Sequence, residues 1–201
     1  MFAITERLFL RPLWPEDAES LAAKMGVPEV CLNLGSPPYP YGLADAQAKI
    51  ARDWEAWPNN VSCGIFLRTA AGAEHIGGVG FSRHPDRSDE TELGYWIAKE
   101  HWGRGIAFEA ARPIVEHAFV AWRLPRLTAG HYIDNPASGR VLERLGFRKT
   151  GAISIYDSVP RGCKVSSVDY VLTREDWERT AFRADPHDAC HTPDAAALQA
   201  A

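Results

Sequence analysis

The 201-residue chain is poor in cysteine and methionine and carries no excess of positive charge. Its four cysteines, Cys31, Cys63, Cys163 and Cys190, stand far apart and form no C-x-x-C pair. That argues against a disulfide framework or a structural zinc, and it points to a reducing cytosol. Lys and Arg number 22 against 26 Asp and Glu, for a formal charge of −4. Nucleic acid and anionic lipid both call for clustered positive charge, so neither is expected as a partner. No apolar run reaches the roughly 18 residues of a membrane-spanning helix. The opening Met1-Phe2-Ala3-Ile4-Thr5-Glu6-Arg7 also lacks the basic-then-apolar order of a secretory signal.

What is present is an ordinary apolar share of 46%, enough for a sizeable core. Alternation over Arg7 to Leu13 predicts a strand stopped by Pro12, and Pro15-Glu16-Asp17 opens a helix with Leu21, Ala22 and Met25 inward. The Pro/Gly-rich stretch 33–42 carries Tyr39 and Tyr41 and reads as a linker or as the wall of a binding site. A second helix fits 43–57, where Ala46, Ile50, Trp54 and Trp57 recur at helical spacing; Trp54 is read as helix core. Strands are expected at Val61–Arg68, His75–Ser82 and Thr91–Ala98, with His84 to Glu90 as a connection, followed by a helix over 105–121 interrupted by Pro113. A strand from Arg126 to Ile133, a helix from Ala137 to Leu145 and strands over 147–156 and 164–172 complete the order. Three successive strands that lead through helices into further strands indicate an α/β domain with a mixed sheet, not a doubly wound one.

The most informative stretch runs from Gly94 to Ala107. A strand passes into a turn with Gly103 and Gly105 one residue apart, then straight into a helix. Glycine allows close backbone approach, and a helix start offers unpaired N–H groups and the positive end of its dipole to a pyrophosphate. Arg104 can add a charge-assisted contact. No Gly-Lys-Ser/Thr follows, and G-x-G-x-x-G is missing, so neither a P-loop nor a dinucleotide fingerprint is present. The same residues also fit a glycine-rich turn with no ligand. Downstream, Asp134-Asn135-Pro136-Ala137-Ser138 closes a strand and caps a helix that ends at Leu145-Gly146-Phe147.

Together these stretches resemble the GNAT superfamily of acyl-CoA-dependent N-acyltransferases. The likeness rests on Trp102-Gly103-Arg104-Gly105-Ile106-Ala107, on Asn135-x-x-Ser138 and on Leu145-Gly146-Phe147. Thr5-Glu6-Arg7-Leu8-Phe9-Leu10-Arg11-Pro12-Leu13 and Glu92 to Ile97 point to its RimJ/RimL-like branch, which acetylates protein N-termini and, in relatives, small amines. The resemblance implies a central mixed, mostly antiparallel sheet flanked by helices, with splayed middle strands. It assigns 1–177 to the acyltransferase domain and leaves 178–201 as a loosely attached tail.

Acetyl-CoA is then the implied co-substrate and an amine the acceptor, with no metal; a homodimer is compatible with such a chain. The resemblance gives pyrophosphate binding to Gly103, Arg104, Gly105, Ile106, Ala107 and Phe108, and pantetheine binding to Asn135. Thioester contacts fall to the backbone of Tyr95, Trp96 and Ile97, and Ser138 bonds the CoA sulfur, although a serine at a helix start is also common for capping. Several relatives carry a tyrosine acid seven residues after the asparagine, where this chain has Leu142. Glu92, then Asp157, then His131 are the candidate bases, each of which also fits a structural role. Tyr39, Tyr41 and His131 are expected to meet the acceptor, aromatic faces being suited to cations. A silent acyl-CoA-binding sensor or scaffold shares the same phosphate loop. In the tail, His187, Asp188, Cys190 and His191 are read as solvated, not as a metal site, and Cys163 lacks an activating neighbour.

Overall fold

A computed structural model describes residues 1–83 and 90–181. The connection 84–89 and the tail cluster His187 to His191 lie outside the described residues. Eight strands form one sheet in the order β1-β2-β3-β4-β5-β6-β8-β7. They are β1 (Ala3–Ile4), β2 (Leu8–Arg11), β3 (Val61–Thr69), β4 (Gly72–Arg83), β5 (Thr91–Ile97), β6 (Arg126–Tyr132), β7 (Arg148–Ser158) and β8 (Cys163–Thr173). Every neighbouring pair is antiparallel except β5 and β6, which run parallel. The mixed, mostly antiparallel sheet is therefore as expected.

Six helices cover the two faces: α1 (Ala18–Met25), α2 (Pro28–Cys31), α3 (Leu43–Glu55), α4 (Ile106–Val120), α5 (Pro136–Arg144) and α6 (Arg174–Ala181). On one face, Ile106, Ile114, Phe119 and Leu142 from α4 and α5 pack on Leu93, Ile97, Leu127, Ala129, Tyr170 and Leu172. On the other, Leu21, Met25, Ala46 and Ile50 from α1 and α3 pack around Phe66, with Trp96 beside them. Alternation along each strand sends neighbouring side chains to opposite faces. Thus Leu93, Tyr95 and Ile97 face α4, while Glu92, Gly94 and Trp96 face the α1–α3 layer.

The helix expected over 105–121 is present as α4, with Pro113 inside it. Two elements depart from the sequence-based reading. The helix α2 was not anticipated, and its Pro28 sits at the first helical position, where a missing N–H costs least. Nor was α6, which runs to Ala181. The Asp176 amide donates to the Thr173 hydroxyl at 3.1 Å, and Trp177 stacks on Phe119 with ring centres 5.2 Å apart. Among the described residues no helix is long and apolar enough to cross a membrane.

Candidate active site

The sheet opens at its centre. Among the described residues the only register pair between β5 and β6 is Glu92 with Thr128, where the Thr128 hydroxyl also donates to the Thr91 carbonyl at 3.3 Å. Beyond it the two strands part, which exposes backbone groups of β5. Their direction follows from the β4 ladder. The Ala98 amide donates to the Ile76 carbonyl at 2.8 Å, and hydrogen bonding alternates along an antiparallel pair. The amides of Tyr95 and Ile97 therefore point away from β4, into the gap. Trp96 does not join them: its amide is turned to β4 and its indole lies over Gly78 and edge-on to His75, with ring centres 5.8 Å apart.

At one end of the gap is the turn into α4. Gly103 and Gly105 both take left-handed backbone, with φ of 71° and 75°, which is costly for any residue with a Cβ. A Cβ built on Gly103 would meet nothing within 4 Å, so the turn faces open space. The first amides of α4, from Ile106, Ala107 and Phe108, have no intrahelical acceptor and lie beside that space. Arg104 contributes its guanidinium, whose Nη1 donates to His101 Nδ1 at 3.0 Å. These features fit a pyrophosphate.

The turn is bolted to the N-terminal segment. Glu109 accepts from the Thr5 hydroxyl at 2.5 Å, the Arg7 amide at 2.9 Å and Arg7 Nε at 2.7 Å. The Arg7 guanidinium also donates to the Arg104 carbonyl at 3.1 Å. Burial pushes the Glu109 carboxyl up, but the Thr5 and Arg7 donors outweigh it and hold the group below its usual range.

Beyond the turn, α5 brings a second set to the gap. Asn135 caps the helix, its Oδ1 accepting from the Ser138 amide at 3.4 Å, which leaves the NH₂ end of the side chain to donate outward. The Ser138 hydroxyl pairs with the Tyr95 phenol at 2.9 Å, and that phenol also donates to the Ser138 carbonyl at 3.0 Å. Burial pushes the Tyr95 hydroxyl up to about 12, so it remains a proton donor at neutral pH. Leu142, which stands seven residues after Asn135, is 1% exposed in the core. The phenol thus arrives from β5 rather than from α5. Sequence reasoning valued Tyr95 only for its backbone and missed this.

Other expected residues are scattered. Glu92 sits half-buried on β5, on the α1–α3 face. Asp157 is exposed on the outer strand β7 and shares a face with Ile153 and Ile155. Ile153 pairs with Val168, which packs on the α4–α5 core, so Asp157 lies on the face opposite Glu92. His131 is also on that opposite face, tucked under Gly139 of α5; its Nδ1 donates to the Tyr132 carbonyl at 2.8 Å. Neither converges with Glu92. Tyr39 is exposed in the loop before α3, but Tyr41 is 8% exposed and packed in the second core, where burial pushes its hydroxyl up to about 12. Trp54, expected in the core, is 47% exposed and anchored by its indole N–H to the Leu13 carbonyl at 2.9 Å.

One cluster has metal-ligating atoms within 4.8 Å of one another: Glu74, Glu100 and His101. The Lys24 ammonium already pairs with both carboxylates. Because a guanidinium can only donate, Arg104 fixes His101 Nδ1 as the acceptor and leaves Nε2 protonated in neutral imidazole. Both carboxylates of the set are thus engaged by an ammonium.

Residues 7–148 match the acetyltransferase (GNAT) domain family. The chain belongs to that family. It is 32% identical over 163 residues to "Uncharacterized N-acetyltransferase YoaA" of Bacillus subtilis, an alignment covering 78% of this chain and 89% of that protein. It is also 32% identical over 80 residues to the ribosomal-protein-serine acetyltransferase of Escherichia coli, covering 40% of this chain and 45% of that protein. The solved structure of the ribosomal-protein-S5-alanine acetyltransferase from Vibrio fischeri superposes with a TM-score of 0.71 at 20% identity, over 88% of this chain and 98% of that one, and shows a shared fold. The GNAT chain is an acetyl-CoA-dependent N-acetyltransferase with RimJ/RimL-like relatives.

Proposed function

We propose that this GNAT chain transfers an acetyl group from acetyl-CoA by direct attack onto a primary amine, at a protein N-terminus or on a small amine. One observation carries the reading: β5 and β6 part after Glu92 and Thr128, with the Tyr95 amide and the Tyr95–Ser138 pair at the edge of the opening. The turn from Gly103 to Phe108 holds the pyrophosphate, and the Asn135 side-chain NH₂ holds the pantetheine arm. The Tyr95 amide stabilises the oxyanion that develops on the thioester carbonyl.

Glu92 takes the proton of the attacking amine, directly or through water. Its strand borders the gap, and its face is the one open to an acceptor. As the new C–N bond forms, the C–S bond breaks and the thiolate takes a proton from Ser138 Oγ. The Tyr95 phenol, protonated at neutral pH, re-supplies Ser138 and regains its own proton from solvent. The loop carrying Tyr39 forms one wall of the acceptor side, since the Tyr132 hydroxyl donates to the Leu34 carbonyl at 3.0 Å and Arg161 Nε donates to the Leu32 carbonyl at 2.6 Å. The E. coli and V. fischeri relatives, named for ribosomal-protein acetylation, support a peptide N-terminus as one acceptor class.

Thiol release from acetyl-CoA, followed with a peptide bearing a free N-terminal serine and with spermidine, tests the proposal. Release stimulated by at least one amine supports it. Tight CoA binding with no stimulation by any amine makes the chain a silent acyl-CoA-binding module instead.

A further inference from the structure

On β8, the residues Val168, Tyr170 and Leu172 face the α4–α5 core. Ser167, Asp169 and Val171 alternate onto the other face, the side of Glu92. Asp169 is a carboxylate in the middle of a Val-Asp-Tyr-Val-Leu strand and is only 9% exposed. Its Oδ2 accepts from the Ser154 hydroxyl of β7, while its Oδ1 is buried and accepts no hydrogen bond among the described residues. A buried carboxylate oxygen with no donor is unfavourable and calls for an explanation.

Its location supplies one. Asp169 stands opposite Gly130 on β6, two residues past Thr128, where β6 has already parted from β5. A Cβ built on Gly130 would lie 2.8 Å from Ser167 Oγ and 3.9 Å from Asp169 Oδ1. Gly94, two residues past Glu92 on β5, has open space in front of it. Two glycines on the parted strands thus form a floor, with Glu92 at one end and Asp169 beside it. The loop over this face is tied down by Tyr132 and by the Val159 amide, which donates to the Gly35 carbonyl at 3.0 Å.

We propose that Asp169 is an acceptor-binding residue, its free Oδ1 receiving an N–H of the cationic amine. The inference deepens the acetyltransferase reading and rests on it. Glu92 and Asp169 then divide the work: Asp169 binds and orients the ammonium form, and Glu92 removes the proton before attack. This assigns the acceptor class as an amine cationic at neutral pH, presented over the Gly94–Gly130 floor. It also gives the acceptor side a second carboxylate, from β8 rather than from Asp157 on β7.

The test measures steady-state constants for the N-terminal-serine peptide and for spermidine, together with CoA affinity by calorimetry. Asp169→Asn keeps the side chain's size and removes its charge. It should raise the KM of whichever amine is used by about tenfold or more, as expected for losing one charge-assisted hydrogen bond, with CoA affinity held within about twofold. Gly130→Ala, whose Cβ would press on Ser167 Oγ at 2.8 Å and lie against Asp169 Oδ1 at 3.9 Å, crowds the approach to the carboxylate and should raise the same KM. Ser154→Ala separates binding from scaffolding and should leave the amine KM nearly unchanged. An amine KM unmoved by Asp169→Asn or Gly130→Ala overturns the proposal. So does a Ser154→Ala variant that reproduces Asp169→Asn, since Asp169 would then serve only to anchor Ser154. Wild-type protein that no amine stimulates refutes the acetyltransferase reading itself, and the role of Asp169 falls with it.

Discussion

Glu109→Ala removes a carboxylate that ties the N-terminal segment to the phosphate turn, and its cost can be worked from the contacts. The Thr5 hydroxyl and the Arg7 amide each lose an acceptor, worth about 1 kcal/mol apiece. The ion pair with Arg7, whose side chain is 41% exposed, adds no more than about 1 kcal/mol because solvent screens it. The total is about 2–3 kcal/mol at neutral pH, or a Tm lower by roughly 5–10 °C in a chain of this size. The pH dependence has a definite sign. Glu109 is depressed in the folded state, so its contribution is complete above the unfolded carboxyl value of about 4.3 and disappears as pH falls through the lower folded value. Thermal melts of wild type and Glu109→Ala should therefore differ most near neutrality and draw together as the pH falls below the ordinary carboxyl range. CoA affinity should fall as well, because Arg7 no longer holds the Arg104 carbonyl in place. Melting curves that coincide at neutral pH, or that separate on acidification, would refute the reasoning.

Three further outcomes are expected. Ser138→Ala and Tyr95→Phe should each lower kcat by about a hundredfold with CoA affinity preserved, and the double variant should be little worse than the poorer single, as for groups acting as a unit; additive losses by steady-state kinetics would separate the two roles. Gly105→Val forces a β-branched side chain into left-handed backbone at a cost of about 1–2 kcal/mol, and calorimetry should show weakened CoA binding. Tyr41→Phe removes a buried hydroxyl that has no partner among the described residues, so melts should show stability unchanged or raised by up to about 1 kcal/mol and amine kinetics should not move.

Much of the fold was legible in the sequence because period-two alternation over β3, β4 and β5 and the helical spacing of α3 and α4 are strong local signals. The turn into α4 was legible for a different reason: two glycines between a strand and a helix mark a tight turn, though the same pattern also fits one with no ligand. Tyr41 was not, because it follows Pro40 in a segment without periodicity, and only tertiary packing turns it inward. Trp54 shows the converse, since helical spacing put it in line with Ile50 yet the α3 end lies beyond the core. The unsuitable face of Asp157 was present in the alternation, as counting in twos from buried Phe147 reaches it. Asp169 had a signal too, a charge inside an otherwise apolar run, but its meaning depends on lying opposite Gly130, which no local pattern states. The phenol of Tyr95 meets Ser138 across 43 residues of chain, and such a pairing is set only by the sheet.

The central claim is that the parted strands β5 and β6 receive the acyl donor. Amide-resolved hydrogen exchange with and without acetyl-CoA tests it most directly. The account predicts added protection at Tyr95 and Ile97 and over Gly103 to Phe108, with the Trp96 amide, already turned to β4, changing least among the three on β5. Protection confined to another face, such as the exposed Trp54 and Trp57 surface, would contradict it.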